Sequence, residues 1–521
     1  MKVYEGTVAT CDASDSVCRF LVEDGGRIVW TGNELPERFV GAAREVLPDG
    51  HALIPSFADS HIHFASFALF HSGLDVRSAR SIPEIQARLK EFATTNRQDI
   101  IVGFGASIHS VAERRLVSRA ELDAACGDRP VFIVKYDGHA CILNSRLIAM
   151  LPSHIRGLRG FHPDTGEMNQ EAYFACTDFV TGRIPPMQVV RNMISAADSL
   201  VSSGICKIDD VSGVGFPKDL DVDLERWVAR GTSSGLQMRI FFQTMDIGKV
   251  LRRRLPRIGG CFATALDGCF GSMDAALLQP YRNTDNRGVL FYEPAKVRDF
   301  CVRANRAGLQ IQVHAIGDAA FEQAVDGIEA ALRDTPRPDH RHGIIHACLP
   351  TMEGLRRCAD LGIHLPLQPA FLEWELEPLE YITDILGDRA MLISPLKTMV
   401  EMGIHVSGGS DAPCTLPDAI AGMHAACNHY VPEQSLSVRQ ALRLFTIEGY
   451  RSTFDDVSRG SLEPGKFADM VVLDRNPLDT PPAEVKFMKV RKVILGGLEY
   501  RNRDSGPLLT LLKGILSRRP T

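Results

Sequence analysis

A His-x-His pair ends one of the apolar segments near the start of the chain, HALIPSFADSHIHF. Because residues two apart in a strand point to the same face, the imidazoles of His61 and His63 can reach a single metal ion. Asp59 has the same parity and is predicted to orient one of these imidazoles. Taken alone, the pair fits a structural role as well as a metal site, so both interpretations stay open at this point.

Two more histidines follow apolar segments later in the chain. His314 follows LQIQV and His346 follows GII, and either one alone would more often be a hydrogen-bonded core histidine. Four histidines in such positions are difficult to explain by packing, so together they predict a divalent metal site. Imidazole nitrogens bind zinc, iron, nickel and copper, and we expect zinc, as one ion or two.

Asp411 is the candidate base of this site. It lies in HVSGGSDAP, directly after an apolar run and between Gly409 and Pro413, a setting that is also typical of a turn-forming aspartate. Because four candidate ligands precede it, Asp411 is predicted to be a metal-bound general base that accepts a proton from activated water.

Lys135 is a further candidate, since it interrupts the apolar run of PVFIVKYDGHA. A buried ammonium group is costly without partners, and the neutral amine can instead react with CO2 to give a carbamate that bridges two metal ions. The alternative is an ordinary ion pair with Asp137 or Asp210, or a place at the rim of a barrel. His139 has the same parity as Lys135 and is predicted to face the same cavity, where it could contact substrate or metal.

The elements that must position these residues alternate between apolar strands and amphipathic helices. Strand candidates include IIVGFGAS, GICKIDDVSG, GGCFATALDG and IHLPLQPAF, and helices are predicted at 294–307 and 319–333. This alternation favours βαβ units, so the predicted fold class is α/β, a TIM-like (β/α)8 barrel. Ten strand candidates exceed the eight of a barrel, so one or two must be irregular or belong to an insertion. Barrel enzymes gather their chemistry at the carboxyl ends of the strands, where these candidates stand.

Both ends of the chain are rich in short strands and turns. RFLVEDGGRIVWTGN contains a hairpin pattern at Asp24-Gly25-Gly26, and DMVVLDRNP and KVRKVILGGLEYRN read similarly near the other end. We therefore expect one small sheet domain assembled from both termini. The tail LLTLLKGILSRR is predicted to be an amphipathic helix that docks on the body or on a second subunit rather than on a membrane.

Composition argues against several classes of protein. With 58 Lys and Arg against 64 Asp and Glu in 521 residues, the net charge of −6 argues against a nucleic-acid surface. No apolar run approaches the roughly 20 residues that a membrane span requires, and the N-terminal residues lack the apolar region of a secretory signal. Thirteen cysteines without a close CxxC pair are typical of buried thiols in a reducing cytoplasm. The expected partner is a small-molecule substrate, with no nucleic acid and no membrane.

Five segments together carry a family resemblance: HALIPSFADSHIHF, VHAIGD, GIIHA, GGSDAP and SLEPGKFADMVVLDRNP. In them the chain is similar to the amidohydrolase superfamily, in the branch that includes N-substituted formamide deformylases and AepA-type metal-dependent hydrolases. The resemblance implies a small β-sandwich from 1–54 and 459–505 and a metal-dependent (β/α)8 barrel at 55–458. It further implies a helical insertion near 140–200 and a homo-oligomer, either dimer or tetramer. The amphipathic tail predicted above is assigned to 506–521.

The resemblance also implies the metal ligands. It assigns His61 and His63 to one ion, adds His314 and His346, and makes Asp411 both ligand and base. In many relatives a carbamylated lysine on the fourth barrel strand bridges two ions, but the strand expected there, GGCFATALDG, contains no lysine.

Lys135 is therefore predicted to supply the bridge as a carbamylated lysine, with Lys207 in GICKIDD as its competitor. A site with a single metal ion is the alternative. Substrate contacts are predicted for Asp267, in a loop at the barrel mouth, and for Gln368, at the end of a strand. Phe371 and Trp374 would line the pocket or belong to the core.

The predicted function is hydrolysis of an amide-type carbon–nitrogen bond of a small molecule by metal-activated water. Asp411 would accept the water proton and return it to the leaving nitrogen, while His139 or Gln368 steadies the oxyanion. A mononuclear deaminase is disfavoured, because the glutamate expected three residues after a metal-binding histidine is missing after His314. Ester or lactone hydrolysis needs the same groups and stays open. A catalytically silent binding relative would be expected to have lost ligands that are all present here.

Overall fold

The computed structural model describes residues 1–502 and 506–521, within which twenty-two strands and eighteen α-helices form. The strands, β1 to β22 in chain order, are Lys2–Ala9, Val17–Asp24, Arg27–Gly32, Ala43–Val46, Ala52–Pro55, Phe57–Ile62, Leu74–Asp75, Ile101–Ala106, Val131–Lys135, Ala140–Leu143, Phe161–His162, Glu167–Asn169, Ile205–Ser212, Gln237–Phe242, Arg257–Ala265, Gln310–Ala315, Gly343–His346, Leu365–Leu367, Val406–Gly408, Met470–Leu473, Val490–Leu495 and Leu498–Glu499. The helices, α1 to α18, are Phe64–His71, Ile82–Thr95, Arg119–Cys126, Ser145–Met150, Ser153–Arg156, Gln170–Thr181, Pro186–Ser202, Leu220–Gly231, Ile247–Arg252, Pro294–Arg306, Asp318–Asp334, Met352–Leu361, Leu379–Leu386, Leu396–Glu401, Ala419–Cys427, Val438–Leu444, Ile447–Arg451 and Pro507–Leu516. Positions 503–505, which end the second predicted sandwich segment, lie outside the described residues.

A six-stranded parallel sheet forms the centre of the molecule, in the order β17-β16-β15-β14-β13-β6. β18 and β19 form a parallel pair, which a bridge between Gly343 and His364 joins to one edge of this sheet. At the other edge, the Asp411 N–H, just after β19, donates to the carbonyl oxygen of His61 in β6, with 2.8 Å between N and O. The central sheet is thus nearly closed, and the predicted α/β fold class is confirmed.

Continuous apolar runs explain why these strands lie in the middle of the molecule. Ile311 and Val313 of β16 are fully buried, as are Ile344 and Ile345 of β17. Helices α10 and α11, which flank β16 in the chain, begin and end within one residue of the predicted segments. α10 has a proline in its first turn, where the missing N–H costs nothing.

The strand-rich ends of the chain meet in a single sheet. Its order is β22-β21-β20-β5-β1-β2-β3, with β4 beside β1, and the antiparallel pair β5 and β20 joins the two ends. The predicted hairpin connects β2 and β3 through Gly25 and Gly26, whose φ angles of +58° and +84° are in the left-handed region that glycine adopts without strain.

A third sheet lies outside the central one and is built from β7 to β12, in the order β11-β12-β10-β9-β8-β7. IIVGFGAS and PVFIVKYDGHA belong to this sheet, which accounts for the excess of strand candidates. Lys135 is the last residue of β9, so it does not stand on a strand of the central sheet. The third sheet begins at residue 74, and an apolar run alone does not reveal which sheet a strand joins. The segment near 140–200, predicted as a helical insertion, contains α4 to α6 and most of α7.

The C-terminal helix α18 packs on α8 at two glycines. A Cβ atom on Gly514 would lie 1.9 Å from the Trp227 carbonyl oxygen, and a Cβ on Gly231 would lie 1.9 Å from that of Thr510. Only glycine lets the two backbones come this close, and the tail docks on the body, one of the two predicted positions. In residues 1–502 and 506–521, no helix is both long enough and apolar enough to cross a membrane.

Candidate active site

Three side chains of the predicted site converge where β6 and β19 end. His61 belongs to β6, His63 directly precedes α1, and Asp411 follows β19. One carboxylate oxygen of Asp411, Oδ1, lies 3.0 Å from His61 Nε2 and 3.2 Å from His63 Nε2. We call His61, His63 and Asp411 the HxH group. Two imidazole nitrogens and a carboxylate oxygen around one point fit the coordination of a single metal ion.

His314 and His346 form a second group, the paired-histidine group, at the carboxyl ends of the adjacent strands β16 and β17. Their ring centroids are 4.6 Å apart, and the His346 ring lies 5.2 Å from that of His61. His314 Nε2 lies 3.2 Å from the carbonyl oxygen of Gly268, and when it donates there, Nδ1 keeps its lone pair for a ligand. The four histidines and the aspartate predicted from the sequence therefore lie together at the carboxyl ends of the central strands.

Cys261 lies between these two groups. Its Sγ atom is 3.4 Å from His61 Nε2 and 3.6 Å from His346 Nε2. Burial, followed by the charge of Asp411, raises the pKa of the Cys261 thiol well above its usual value, so without a cation the sulfur keeps its proton. Cys261 is not among the predicted ligands, because the bridging ligand expected on its strand, GGCFATALDG, is a lysine.

The donor set fits a divalent metal ion. His61 Nδ1 and Asp411 Oδ1 are buried and have no partner in hydrogen-bonding geometry, although polar atoms lie close to the carboxylate oxygen. Burial lowers the pKa of His61 and lowers that of His346 further, so both rings are neutral, the form that binds metal. Burial alone would raise the pKa of Asp411, but His61 and His63 outweigh it and hold that pKa well below its usual range. Neutral imidazoles, an ionised carboxylate and a cysteine are ligands that suit zinc.

Two residues behind the site hold its parts in place. Asp59 Oδ1 accepts hydrogen bonds from the backbone N–H groups of His61 and Ser410, over 3.1 Å and 3.0 Å, rather than from an imidazole as predicted. Gln368 Oε1 lies 2.6 Å from His346 Nδ1, and its Nε2 donates to the carbonyl oxygen of Pro366 over 3.3 Å. Gln368 thus uses both ends of its amide within the protein, so its predicted contact with substrate has no geometric support.

Lys135 is held in an ion pair. Its Nζ atom lies 2.7 Å from Asp137 Oδ2; burial alone would lower the pKa of Lys135, but the Asp137 carboxylate outweighs it and raises that pKa. Since only a neutral amine reacts with CO2, this geometry favours the ion pair over the predicted carbamate. His139 lies next to this pair, with Nδ1 2.7 Å from the Asp137 carbonyl oxygen, and it lines the cavity described below.

Lys207 and Asp267 are both satisfied inside the protein. Lys207 Nζ lies 2.6 Å from an Asp209 carboxylate oxygen and donates to the Gly449 carbonyl oxygen over 2.6 Å. The Asp267 carboxylate accepts three backbone hydrogen bonds, from the N–H groups of Ala276, Ile316 and Gly317. Asp267 is fully buried by these contacts, so it holds the loops after β15 and β16 together and the predicted substrate contact is not supported.

His314, His346 and Asp411 line a cavity. Most of its walls are apolar or aromatic side chains, including Phe270, Ile316, Phe371, Leu372, Trp374, Ile382 and Tyr430. The rings of Phe371 and Trp374 are stacked with centroids 4.8 Å apart, so the predicted aromatic lining is present. A cavity with this lining fits a small, largely apolar molecule.

Glu377 is a carboxyl group of the cavity wall that the sequence analysis missed. Burial raises its pKa to about 7, and the Tyr136 hydroxyl donates to its Oε2 over 3.0 Å. Nothing in its local sequence, WELEP, distinguishes Glu377 from the exposed Glu375 two residues before it. Only the packing of the loop after β18 separates the two.

Comparison with known proteins gives consistent matches. The sequence profile of the Amidohydrolase family matches residues 49–159 and 256–498. The N-substituted formamide deformylase of Arthrobacter pascens is 25% identical, over 97% of this chain and 99% of that protein. An uncharacterized metal-dependent hydrolase from Pyrococcus furiosus superposes with a TM-score of 0.72 and 26% identity, over 92% of this chain and 100% of that chain. Atrazine chlorohydrolase from Arthrobacter aurescens TC1, complexed with zinc, has a TM-score of 0.54 at 15% identity, over 96% of this chain and 95% of that chain, and supports the fold alone.

Proposed function

This chain belongs to the amidohydrolase family, and on that premise we propose that it hydrolyses an amide-type carbon–nitrogen bond of a small, largely apolar molecule. One observation carries the proposal: the HxH group and the paired-histidine group meet beside a cavity with mostly apolar walls. The residues of these two groups would hold one or two divalent ions, for which zinc is best suited. When bound, such an ion polarises a carbonyl oxygen and makes water more acidic.

Asp411 is the residue that moves the proton. It lies on the cavity wall, and its carboxylate, which His61 and His63 keep ionised, can accept the proton of the attacking water. The same carboxyl group then returns the proton to the leaving nitrogen, which departs as a neutral amine.

His139 is positioned to exchange a proton with a molecule in the cavity. Because its Nδ1–H donates to the Asp137 carbonyl oxygen, a neutral His139 has no N–H left to stabilise an oxyanion. Its Nε2 atom is the ring atom that can exchange a proton with a molecule in the cavity. We therefore assign His139 to proton exchange and not to the oxyanion role.

The same proposal extends to the architecture. We infer that the six central strands together with β18 and β19 form an eight-stranded barrel at 55–458, and that the terminal sheet is a small β-sandwich from 1–54 and 459–505. The contacts on either side of the strand pair, between Gly343 and His364 and between Asp411 and His61, support the closure. The tail at 506–521 is a separate helical segment.

The first test measures metal content and hydrolysis on the same preparations, purified without chelator or affinity metal. We expect one or two equivalents of divalent metal per chain by elemental mass spectrometry. The substrates are N-substituted formamides, suggested by the relative from Arthrobacter pascens, and larger apolar amides, each with a matched ester. His61→Asn should lose metal, and Asp411→Asn should lower kcat by about 100-fold or more.

Two results would overturn the proposed function. One is full activity of Asp411→Asn on a confirmed substrate, and the other is a wild-type chain that repeatedly holds no metal and takes none up. Turnover of the esters while every matched amide stays intact would reassign the site to ester or lactone hydrolysis.

We also infer a reducing compartment, the cytoplasm, as the place where the protein acts. All thirteen cysteines lie in the described part of the chain as free thiols, most of them buried. The dimer or tetramer implied by the family resemblance stays a prediction, which sedimentation analysis would check.

A further inference from the structure

We propose that Cys261 is a metal ligand whose sulfur is shared by the ions that the HxH group and the paired-histidine group bind. The proposal rests on the proposed function in one respect, that the histidine cluster holds metal. Sγ lies 3.4 Å from His61 Nε2 and 3.6 Å from His346 Nε2. A sulfur and a nitrogen bound to one tetrahedral zinc ion, with bonds of about 2.3 Å and 2.0 Å, lie about 3.5 Å apart. The separations in the site are therefore those of atoms that share an ion.

The sulfur of Cys261 lies about equally close to the two groups. Its sulfur and one ligand atom each of His61 and His63 lie within 4.8 Å of one another, and the same holds for Cys261, His314 and His346. These are the two triads that a bridging atom would complete. The cysteine is 4% exposed, so the sulfur is enclosed among the imidazoles and not open to solvent.

The backbone of β15 is shaped to present this side chain. Gly260 pairs with Val313 of β16, but the next residue of β16, His314, pairs with Ala265, so residues 261–264 bulge out of the ladder. The Thr264 hydroxyl closes the bulge by donating to the Gly260 carbonyl oxygen over 3.0 Å. Bulges of this kind occur next to active sites because they re-aim a side chain.

Glycine makes the bulge possible. The φ angle of Gly260 is +132°, and a Cβ atom there would lie 2.9 Å from Val211 Cγ1, in β13, and from Gln243 Cγ, just after β14. Phe262, inside the bulge, has a φ of +26°, which is unfavourable for a residue with a side chain. A strained bulge that delivers a cysteine to a histidine cluster points to a function for that cysteine.

Charge supports the same assignment. Around two divalent ions, the four imidazoles are neutral and Asp411 supplies one negative charge. On metal binding, the Cys261 S–H bond is replaced by a bond from sulfur to metal, the proton passes to the buffer, and no electron is transferred. The thiolate places the second negative charge between the ions. A sulfur ligand also favours zinc and cobalt over magnesium and manganese, because those ions prefer oxygen.

Cys269 is the competing sulfur near the cavity. It forms a separate group with Asp137 and His139, and its Sγ lies 3.9 Å from Asp137 Oδ2. The charge of Asp137 is already matched by Lys135, at 2.7 Å. This group is therefore a weaker binding site for a cation than the histidine cluster.

The experiment uses the full chain, stripped of metal by a chelator and reloaded with Co2+. Elemental mass spectrometry gives the cobalt bound per chain, and near-ultraviolet absorption reports a charge-transfer band from sulfur to cobalt. We expect this band in the wild type and its loss in Cys261→Ser and Cys261→Ala, with at least tenfold weaker binding of one cobalt equivalent. The controls Cys269→Ala, in the cavity, and Cys301→Ala, buried in α10, should keep the band.

X-ray absorption of the zinc-loaded wild type makes the test independent of whether the variants fold. A sulfur neighbour at about 2.3 Å from zinc is expected. A shell of nitrogen and oxygen alone, with cobalt bound equally by wild type and Cys261→Ala, would overturn the role of Cys261 and leave the metal-dependent hydrolase standing. Loss of the band in Cys269→Ala and not in Cys261→Ala would move the sulfur ligand to the other group. A wild type that binds no metal would overturn both proposals.

Discussion

Nδ1 of His346 lies 2.6 Å from Oε1 of Gln368, and this contact decides which ring nitrogen faces the metal site. Because an amide oxygen can only accept, Nδ1 must carry the proton, and the lone pair of His346 is on Nε2. Nε2 is the nitrogen that lies 3.6 Å from the Cys261 sulfur. Gln368 therefore positions a ligand, a role often filled in metal sites by a carboxylate or a backbone carbonyl.

The first prediction removes this acceptor. Gln368→Ala should lower metal affinity by about 10- to 100-fold, because the His346 ring loses its orientation, whereas Gln368→Glu, which keeps an acceptor oxygen, should recover most of the loss. A competition titration against a chromogenic chelator measures both. Gln323→Ala is the matched control, since Gln323 is also buried but bonds the Tyr292 carbonyl oxygen. Equal affinities of Gln368→Ala and the control would show that Gln368 does not position the ligand.

The second prediction concerns Lys135 and separates the ion pair from the carbamate. Lys135→Met should leave the number of bound metal ions unchanged and should destabilise the fold by about 3 kcal/mol, because Asp137 is left as a buried, unpaired carboxylate. The double variant Lys135→Met with Asp137→Asn should regain part of this stability. Urea unfolding and elemental analysis of the same samples give the two quantities. A drop from two metal equivalents to one in Lys135→Met would instead show that Lys135 bridges two metal ions.

The ligand histidines could be predicted from sequence because each follows a regular strand. His314 and His346 end apolar runs, His61 and His63 share a parity, and parallel strands must bring their carboxyl ends to the same edge. Cys261 could not be predicted in this way. It lies at the start of a four-residue bulge, and within a bulge the alternation of side chains that supports such arguments no longer holds.

The partners of polar residues near the strand ends were also beyond prediction. Asp267 and Gln368 have the chemistry of substrate contacts, yet both are turned toward protein groups by loops whose packing is long-range. Lys135 shows the same limit for strands. Its apolar run identifies a strand correctly, but that strand joins the third sheet, since burial looks alike in every sheet.

The third prediction tests the apolar wall of the cavity. Trp374 stacks on Phe371 and meets the Tyr136 ring edge-on, with centroids 5.1 Å apart. Trp374→Ala should raise KM about tenfold for substrates with an aromatic or long aliphatic group and much less for small amides, because only the larger groups reach this wall. Trp30→Ala, on the terminal sheet, is the control for a lost tryptophan. Lower stability with unchanged KM values would make Trp374 a core residue instead.

The fourth prediction uses the carboxyl group of Glu377, whose pKa burial raises from 4.5 to about 7. Below pH 4.5 the group is protonated in both the folded and the unfolded chain and has no effect on stability. Between pH 4.5 and about 7 the folded chain keeps the proton that the unfolded chain loses, and above about 7 the charge is present in both states and its burial opposes folding. The wild type should therefore lose stability relative to Glu377→Gln as the pH rises through this window, by up to about 3 kcal/mol.

Urea unfolding of both proteins from pH 4 to pH 8 measures this difference directly. The matched control is Glu375→Gln, which removes a carboxylate that is 70% exposed and paired with Arg80. Its stability difference from the wild type should stay small and nearly constant with pH, because an exposed ion pair contributes little. If Glu377→Gln also tracks the wild type across the whole range, Glu377 is ionised in the folded cavity at neutral pH. The cavity would then favour substrates with a positively charged group over the largely apolar ones expected here.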